Sequence, residues 1–274
     1  MIDYKEYIRE QNFPHIWCAG CGDGIVLKSL IRGLKKLNIA KDDAVMVSGI
    51  GCSSRTPGYI DINTLHTTHG RALAFATGVK FANPKLKVIV VTGDGDATAI
   101  GGNHYIHAAR RNIDITCLLY NNYIYGMTGG QVSPTTPRGM FASTAPFGNT
   151  EPAFNISGLA QAAGASFVAR GDVYHVQQLD KLIAAALGKT GFSLVEILSP
   201  CPTAYGRRNK MGTPVDLMNW LKDNVVPKDK LDKMTEEEQR GKVSSGILFD
   251  AEKPEFCAEY DKLIERLRTE KKKA

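Results

Sequence analysis

Asp94 and Asn122 are the residues whose types and spacing point most directly to chemistry. Asp94 sits between two glycines just after the apolar run 87–91. Asn121-Asn122 closes the next apolar run, 113–120. A strand–helix–strand unit takes about 30 residues and returns the chain to the same sheet edge. The spacing therefore predicts Asp94 and Asn122 side by side at the carboxyl edge, where α/β proteins bind ligands. One carboxylate and one amide oxygen make half a site for a hard cation. Mg²⁺ takes oxygen ligands and commonly shares them with a substrate diphosphate. The glycines flanking Asp94 let backbone N–H groups approach a phosphate, and a helix starting near Ala97 would aim its positive end there. A turn aspartate and a cap asparagine without a ligand are the bland alternative. The Asn pair, placed between two buried strands, weighs against it.

Six cysteines form the second constellation. Cys18-Ala19-Gly20-Cys21-Gly22 is a tight pair whose glycines free backbone N–H groups to point at sulfur. Cys52 follows a strand end at Gly49-Ile50-Gly51, and Cys201 follows the last strand. Three loop segments could thus gather four thiolates, which bind tetrahedral zinc or an iron–sulfur cluster. Spacing alone does not decide between them. Cys117 lies within an apolar strand and reads as an inert core residue. Cys257 has no nearby thiol and reads as incidental.

The elements that must position these residues follow from periodicity. A helix begins at Asp23, expected to cap it, with Leu27, Leu30, Ile31, Leu34 and Leu37 on one face and Lys28, Arg32, Lys35 and Lys36 on the wet side. Short apolar strands are predicted at 44–48, 87–91, 113–120, 167–169 and 192–198, alternating with helices over about 71–82, 98–110 and 175–187. Residues 52–69 read as a loop. The class is α/β: a mostly parallel sheet covered by helices on both faces. Residues 1–22 lack periodicity. Residues 23–200 read as one α/β domain, and 201–274 as a polar, extended C-terminal arm with helices near 215–223 and 259–268. About thirty residues rich in Gly, Pro, Thr and Ser follow Tyr123, as expected of a functional loop rather than a linker. Within it, 135–138 could close over the site or lie on the surface.

Length and composition bound the remainder. The chain has 274 residues, 43% hydrophobic and 23% charged, enough for a substantial core without staples. No stretch approaches the ~20 apolar residues that a membrane span needs. The charged N-terminus has no apolar signal region, so a cytoplasmic location is expected, where six cysteines are not a disulfide framework. The net charge of +6 owes three charges to Lys271-Lys272-Lys273, and no aromatic–basic module suggests nucleic acid.

Taken together, the motifs resemble a known family. Gly93-Asp94-Gly95, followed just under thirty residues on by Asn121-Asn122, resembles the diphosphate-type domain of thiamine diphosphate enzymes. The resemblance implies Mg²⁺ held by Asp94, Asn122 and the backbone carbonyl of Ile124. With the four cysteines added, residues 13–206 look like the β subunit of a 2-oxoacid:ferredoxin oxidoreductase. Trp17-Cys18-Ala19-Gly20-Cys21-Gly22, Ser48-Gly49-Ile50-Gly51-Cys52-Ser53-Ser54-Arg55, His69-Gly70-Arg71, Tyr125-Gly126-Met127-Thr128-Gly129-Gly130-Gln131 and Pro200-Cys201-Pro202-Thr203 carry that likeness. It implies one [4Fe–4S] cluster on Cys18, Cys21, Cys52 and Cys201, with residues 1–22 as a cluster-binding segment. It also implies Ile50, Gly51, Cys52, Ser53, His69, Gly95, Asp96, Gly126 and Met127 around the cofactor.

The implied reaction is oxidative decarboxylation of a 2-oxoacid with coenzyme A, electrons leaving through the cluster to ferredoxin. Among substrates, the resemblance is closest to the 2-oxoglutarate type, which yields succinyl-CoA, with pyruvate the alternative. Arg55, three residues after Cys52, is the expected partner of the substrate carboxylate. Only one α/β domain is visible, so the pyrimidine-binding domain and its glutamate are expected from an α subunit, in an (αβ)₂ assembly. A zinc-stapled α/β subunit without catalysis is the reading from another class.

Overall fold

The structure is a computed structural model that describes residues 4–271. Two single-turn helices at Lys5–Tyr7 and Glu10–Asn12 precede α1 (Asp23–Lys36). Then follow β1 (Ala44–Ser48), β2 (Asn63–His66), α2 (Ala72–Ala82), β3 (Lys87–Gly93), α3 (Gly102–Arg110) and β4 (Ile115–Asn121). After a long loop come α4 (Ile156–Ala163), β5 (Phe167–Asp172), α5 (Val176–Gly188) and β6 (Ser193–Leu198). The remainder holds α6 (Pro214–Asn224), β7 (Val225–Pro227), α7 (Lys228–Leu231), α8 (Glu236–Gln239), β8 (Val243–Asp250) and α9 (Phe256–Lys271).

The eight strands form one sheet in the order β2-β1-β3-β4-β6-β5-β8-β7. Every neighbouring pair is parallel except β5–β8, which is antiparallel. Both faces are covered, and apolar side chains pack into one core on each side. That double burial is why β3, β4 and β6 read as continuous apolar runs rather than alternating ones. The strand order fixes the site. From β1 the chain leaves toward β2, and from β3 it leaves toward β4 on the opposite side. Open α/β sheets bind ligands in the crevice at such a reversal.

Several local expectations change. Asp23 does not cap α1: it is the first helical residue, and its side chain is buried rather than turned back to the helix N–H groups. Its neighbour Gly22 takes the cap position, because the chain enters tightly from the Cys18–Cys21 turn. Leu37 lies beyond the helix end and is exposed. Arg32 is not left in water but bonds Asp180 through two nitrogens and Tyr4 through a third, tying α1 to α5 and the N-terminal segment. The stretch 52–69 is not plain loop. It contains a helical turn, Ser53–Gly58, and the edge strand β2, whose four residues alternate too weakly to signal. The helix expected over 98–110 is split by a π-helical turn at Asp96–Ile100 before α3. Residues 201–274 contribute β8, laid antiparallel on β5, and β7 beside it. Of Lys271-Lys272-Lys273, the last two lie outside the described residues.

Candidate functional site

The carboxyl ends of β1, β3 and β4 converge on one pocket. Ile50, Gly51, Cys52 and Ser53 line it from β1; Gly93 to Asp96 line it from β3. Tyr120, Asn122 and Ile124 to Thr128 line it from β4, and His69 closes a side. β3 and β4 are paired in register up to Gly93 opposite Tyr120, so Asp94 and Asn122 leave adjacent strand ends one residue apart in register. The strand order thus brings three loop segments together, each carrying residues singled out from the sequence.

Asp94 is buried, and its Oδ2 accepts from the hydroxyls of Ser133, at 2.7 Å, and Thr135. Burial pushes its carboxyl up to about 6, and the hydroxyl bonds only partly offset that. Among the described residues, no cationic side chain bonds it. A buried carboxylate held by neutral donors alone is a poor structural device and a good ligand for a divalent cation. Asn122 turns its Oδ1 to the Ile124 N–H at 3.2 Å, which sets the 122–124 turn so that both residues face the pocket.

Asp96 does different work. Its Oδ1 accepts from the Gly70 N–H at 2.7 Å, and its Oδ2 from Thr92 Oγ1 at 2.8 Å and the Ile50 N–H at 3.3 Å. One carboxylate therefore ties together the loops after β1, β2 and β3. A Cβ on Gly49 would stand 1.8 Å from Asp96 Oδ2, so only glycine lets β1 end this close.

Two of the four thiols, Cys52 and Cys201, face one hollow at the pocket's rim. The position a Cβ on Gly126 would occupy is 3.5 Å from Cys52 Sγ, 3.5 Å from Cys201 Sγ and 3.6 Å from Asn122 Nδ2. Gly126 is thus a hollow shared by two of the sulfurs and the Asn122 amide. Cys201 accepts from the Ala204 N–H at 3.3 Å, and Cys52 from the Met127 N–H. Trp17 Nε1 donates to the Cys52 carbonyl at 2.8 Å, which seats the Cys18 segment against the β1 loop. Burial pushes the Cys52 thiol up to about 12, with Asp23, Cys201 and Cys18 adding to the rise. The Cys21 thiol is pushed up strongly by burial and by Asp23. Among the described residues, no three His, Cys, Asp or Glu side chains converge as a group that could hold a single metal ion. Cys117 and Cys257 are buried elsewhere, Cys117 inside β4 and Cys257 on α9.

Orphaned polar atoms cluster beside the thiols. Ser53 Oγ, Ser54 Oγ, Arg55 Nε and Asp23 Oδ2 are buried without a hydrogen-bond partner. Native interiors rarely leave such groups unmet; three lie on the turn after Cys52 and the fourth, Asp23, at the start of α1. Arg55 stands on the turn after Cys52 and is not among the pocket-lining residues. His69 is exposed at the pocket edge.

The sequence reading missed Ser133 and left Thr135 undecided. Both lie in the loop after β4, and Thr136 Oγ1 anchors that loop by donating to the Tyr123 carbonyl at 2.6 Å. The available signal was the run Ser133-Pro134-Thr135-Thr136, dense in hydroxyls and set at a fixed distance from Asn121. Arg138, from the same stretch, stays exposed on the Thr150 carbonyl.

A glycine-bounded buried carboxylate at the switch point of a parallel sheet suits a diphosphate ligand and its cation. Residues 49–197 match the family described as "Thiamine pyrophosphate enzyme, C-terminal TPP binding domain". The chain is 53% identical to the 2-oxoglutarate synthase subunit KorB of Methanothermobacter marburgensis, covering 96% of this chain and 92% of that protein. It is 52% identical to the KorB subunit of Methanocaldococcus jannaschii, covering 97% and 98%. A solved structure described as 2-oxoglutarate:ferredoxin oxidoreductase from Magnetococcus marinus with 2-oxoglutarate, coenzyme A and succinyl-CoA bound superposes with a TM-score of 0.86 at 36% identity, over 97% of this chain and 91% of that one. The chain belongs to the family of 2-oxoacid:ferredoxin oxidoreductase β subunits.

Proposed function

We propose that the chain is the β subunit of a 2-oxoglutarate:ferredoxin oxidoreductase, which converts 2-oxoglutarate and coenzyme A to succinyl-CoA and CO₂ and delivers two electrons to ferredoxin. The observation that carries this reading is the hollow at Gly126, where Cys52, Cys201 and Asn122 abut. A thiol site and a diphosphate site that share a wall place an electron source against an electron acceptor.

The residues present fit the groups the family implies. Asp94 supplies the buried anionic ligand for Mg²⁺, with the Asn122 amide oxygen and the Ile124 carbonyl beside it. Ile50, Gly51, Ser53, His69, Gly95, Asp96, Gly126 and Met127 form the cradle for thiamine diphosphate. Cys18, Cys21, Cys52 and Cys201 are an all-thiolate donor set, with N–H donors on two sulfurs, as a [4Fe–4S] cluster requires. Bound there, thiamine diphosphate supplies the carbon nucleophile and electron sink, and the cluster supplies one-electron steps. The chain's own part is to hold the cation through Asp94, keep water from it by burial, and fix the loops after β1 and β3 through Asp96. Residues 1–22 then act as the segment closing the cluster, 23–200 as the cofactor domain, and 201–274 as an arm that carries Cys201's flank and the outer strands.

An α subunit completes the site with the pyrimidine-binding half and its glutamate, in an (αβ)₂ assembly. The β chain expressed alone and supplied with cluster, thiamine diphosphate and Mg²⁺ will therefore show no 2-oxoglutarate-dependent dye reduction. The co-expressed αβ complex will show it. Comparable turnover by the β chain alone contradicts the need for a partner.

Arg55 is the substrate-carboxylate residue in this reading, supported by its unmet buried Nε next to Cys52. Arg55→Met keeps much of the stem and removes the charge. It should weaken substrate binding by about 1.5–3 kcal/mol, the range for hydrogen bonds to charged groups. Iron and cofactor content should not change. Unaltered KM and kcat/KM in the assembled complex would place the carboxylate on the α subunit instead.

A further inference from the structure

We propose that the surface over the Cys18 turn is the docking face for the electron acceptor, and that Arg207, Arg208 and Lys210 steer an acidic carrier protein onto it; this rests on the reading of the four cysteines as a cluster site. Of those four, Cys18 is the exposed one, and the other three are half-buried. Electron transfer between proteins needs a short path, so the exit lies where the thiol site comes nearest to solvent. The composition there is unusual. Residues 11–22 contain no Asp, Glu, Lys or Arg. Ile16, two residues before Cys18, is 65% exposed. A Cβ on Gly20 would stand 2.3 Å from the Pro214 Cβ, so the turn lies tight against the start of α6. Val215, next to Pro214, is 66% exposed. The turn thus offers an uncharged, partly apolar surface.

The charge comes from the loop between Cys201 and Pro214. Both ends of that loop belong to the thiol site. The Ala204 N–H donates to Cys201 Sγ at 3.3 Å and the Gly206 N–H to the Cys201 carbonyl at 2.8 Å, while Pro214 meets Gly20. Between them stand Arg207, Arg208 and Lys210, all exposed, and no acid occurs from Cys201 to Val215. Among the described residues, no ion pair engages any of the three. The next acid along the chain, Asp216, is occupied in capping α6, accepting from the Thr213 N–H at 2.6 Å and hydroxyl at 2.7 Å. Asn209 pins the loop by bonding the Phe141 N–H at 2.7 Å and the Phe141 carbonyl at 3.1 Å. Exposed charges add little to the stability of a fold. Grouped beside an uncharged face, they raise the rate of encounter with a partner of opposite charge and make that rate depend on salt. Electron-transfer partners use small, weak interfaces, so a face of this kind suffices. The occupant it fits is an acidic one-electron carrier protein, which leaves reduced by the electron the cluster loses.

The test compares the αβ complex of wild type, of Arg207→Glu with Arg208→Glu, and of the milder pair Arg207→Gln with Arg208→Gln. Arg110→Glu with Arg111→Glu is the control, since both arginines are exposed at the C-terminal end of α3 and so at the opposite edge of the sheet. The probes are a purified acidic ferredoxin with a single [4Fe–4S] cluster and the small dication methyl viologen. Charge reversal should lower kcat/KM for the ferredoxin about 10-fold at low ionic strength, and the deficit should shrink as salt screens the charges. Methyl viologen reduction, iron content and the KM for coenzyme A should keep their wild-type values. Without substrate, calorimetric titration of oxidised ferredoxin should show binding weakest for the Glu pair and intermediate for the Gln pair. The control pair should behave as wild type. Ferredoxin kinetics and binding unchanged in the Glu pair overturn the docking face. So does a loss shared equally with the dye, or a raised KM for coenzyme A, either of which would place the arginines at the substrates. If the Glu pair does not assemble, the Gln pair carries the test; if that pair does not assemble either, the face belongs to the α subunit and the proposal falls. A wild-type complex that reduces neither acceptor overturns the proposed function, and the docking face with it.

Discussion

Asp94→Asn should yield an αβ complex that assembles, retains its iron and loses thiamine diphosphate. The substitution keeps the side chain's shape, and an amide oxygen can still accept from Ser133 and Thr135. What disappears is the charge of the ligand proposed here for the cation. Removing one partner of a buried charge pair costs about 3–5 kcal/mol, which is a cofactor affinity lowered by 100-fold or more. The same variant separates function from fold. In the metal-free protein the Asp94 carboxyl is raised by burial from 3.8 to about 6. A carboxyl raised on folding makes the protein lose stability as pH climbs from about 4 through 6, since above that range the buried group must ionise. At neutral pH the cost is roughly 3 kcal/mol, from a shift of about two units. The metal-free Asp94→Asn complex should therefore melt no lower than metal-free wild type at pH 7. A large drop in Tm together with retained cofactor would show that Asp94 serves the fold and not the metal.

Cys201→Ser should remove the cluster. Anaerobic iron and sulfide analysis of wild type should give about four of each per β chain, as a [4Fe–4S] centre requires. The variant should fall to near zero and lose all dye reduction. Cys201 is the better choice than Cys52 because Cys52 also lines the cofactor pocket, so its loss would confound two sites. Cys117→Ala is the matched control. That thiol is buried in β4, away from the rim, and its replacement should leave iron content unchanged. Zinc in place of iron in the wild type would contradict the cluster and favour a stapled, non-catalytic subunit.

The sheet was legible where a strand is buried on both faces, because β3, β4 and β6 are unbroken apolar runs. It was not legible at β2 and β8, edge and near-edge strands with partly exposed, mixed residues. Asp94, Asn122 and Cys52 could be placed because each follows such a run directly, and topology then dictates where a strand end must lie. Ser133 and Thr135 could not, since their approach to Asp94 depends on how thirty loop residues fold back. Asp23 was misjudged for a related reason. An acidic residue before an amphipathic stretch reads as a cap, whereas here it is pressed inward beside Cys21 by the turn that precedes the helix.

The most direct test of the proposed function is substrate-dependent electron transfer by the purified αβ complex. Supplied anaerobically with thiamine diphosphate, Mg²⁺, coenzyme A and methyl viologen, it should reduce the dye with 2-oxoglutarate and form succinyl-CoA, two electrons per molecule. Reduction should require coenzyme A and should be far slower with pyruvate. Dye reduction with pyruvate but not 2-oxoglutarate would contradict the substrate. Release of CO₂ from 2-oxoglutarate with no dye reduction and no succinyl-CoA would contradict the oxidoreductase reading altogether.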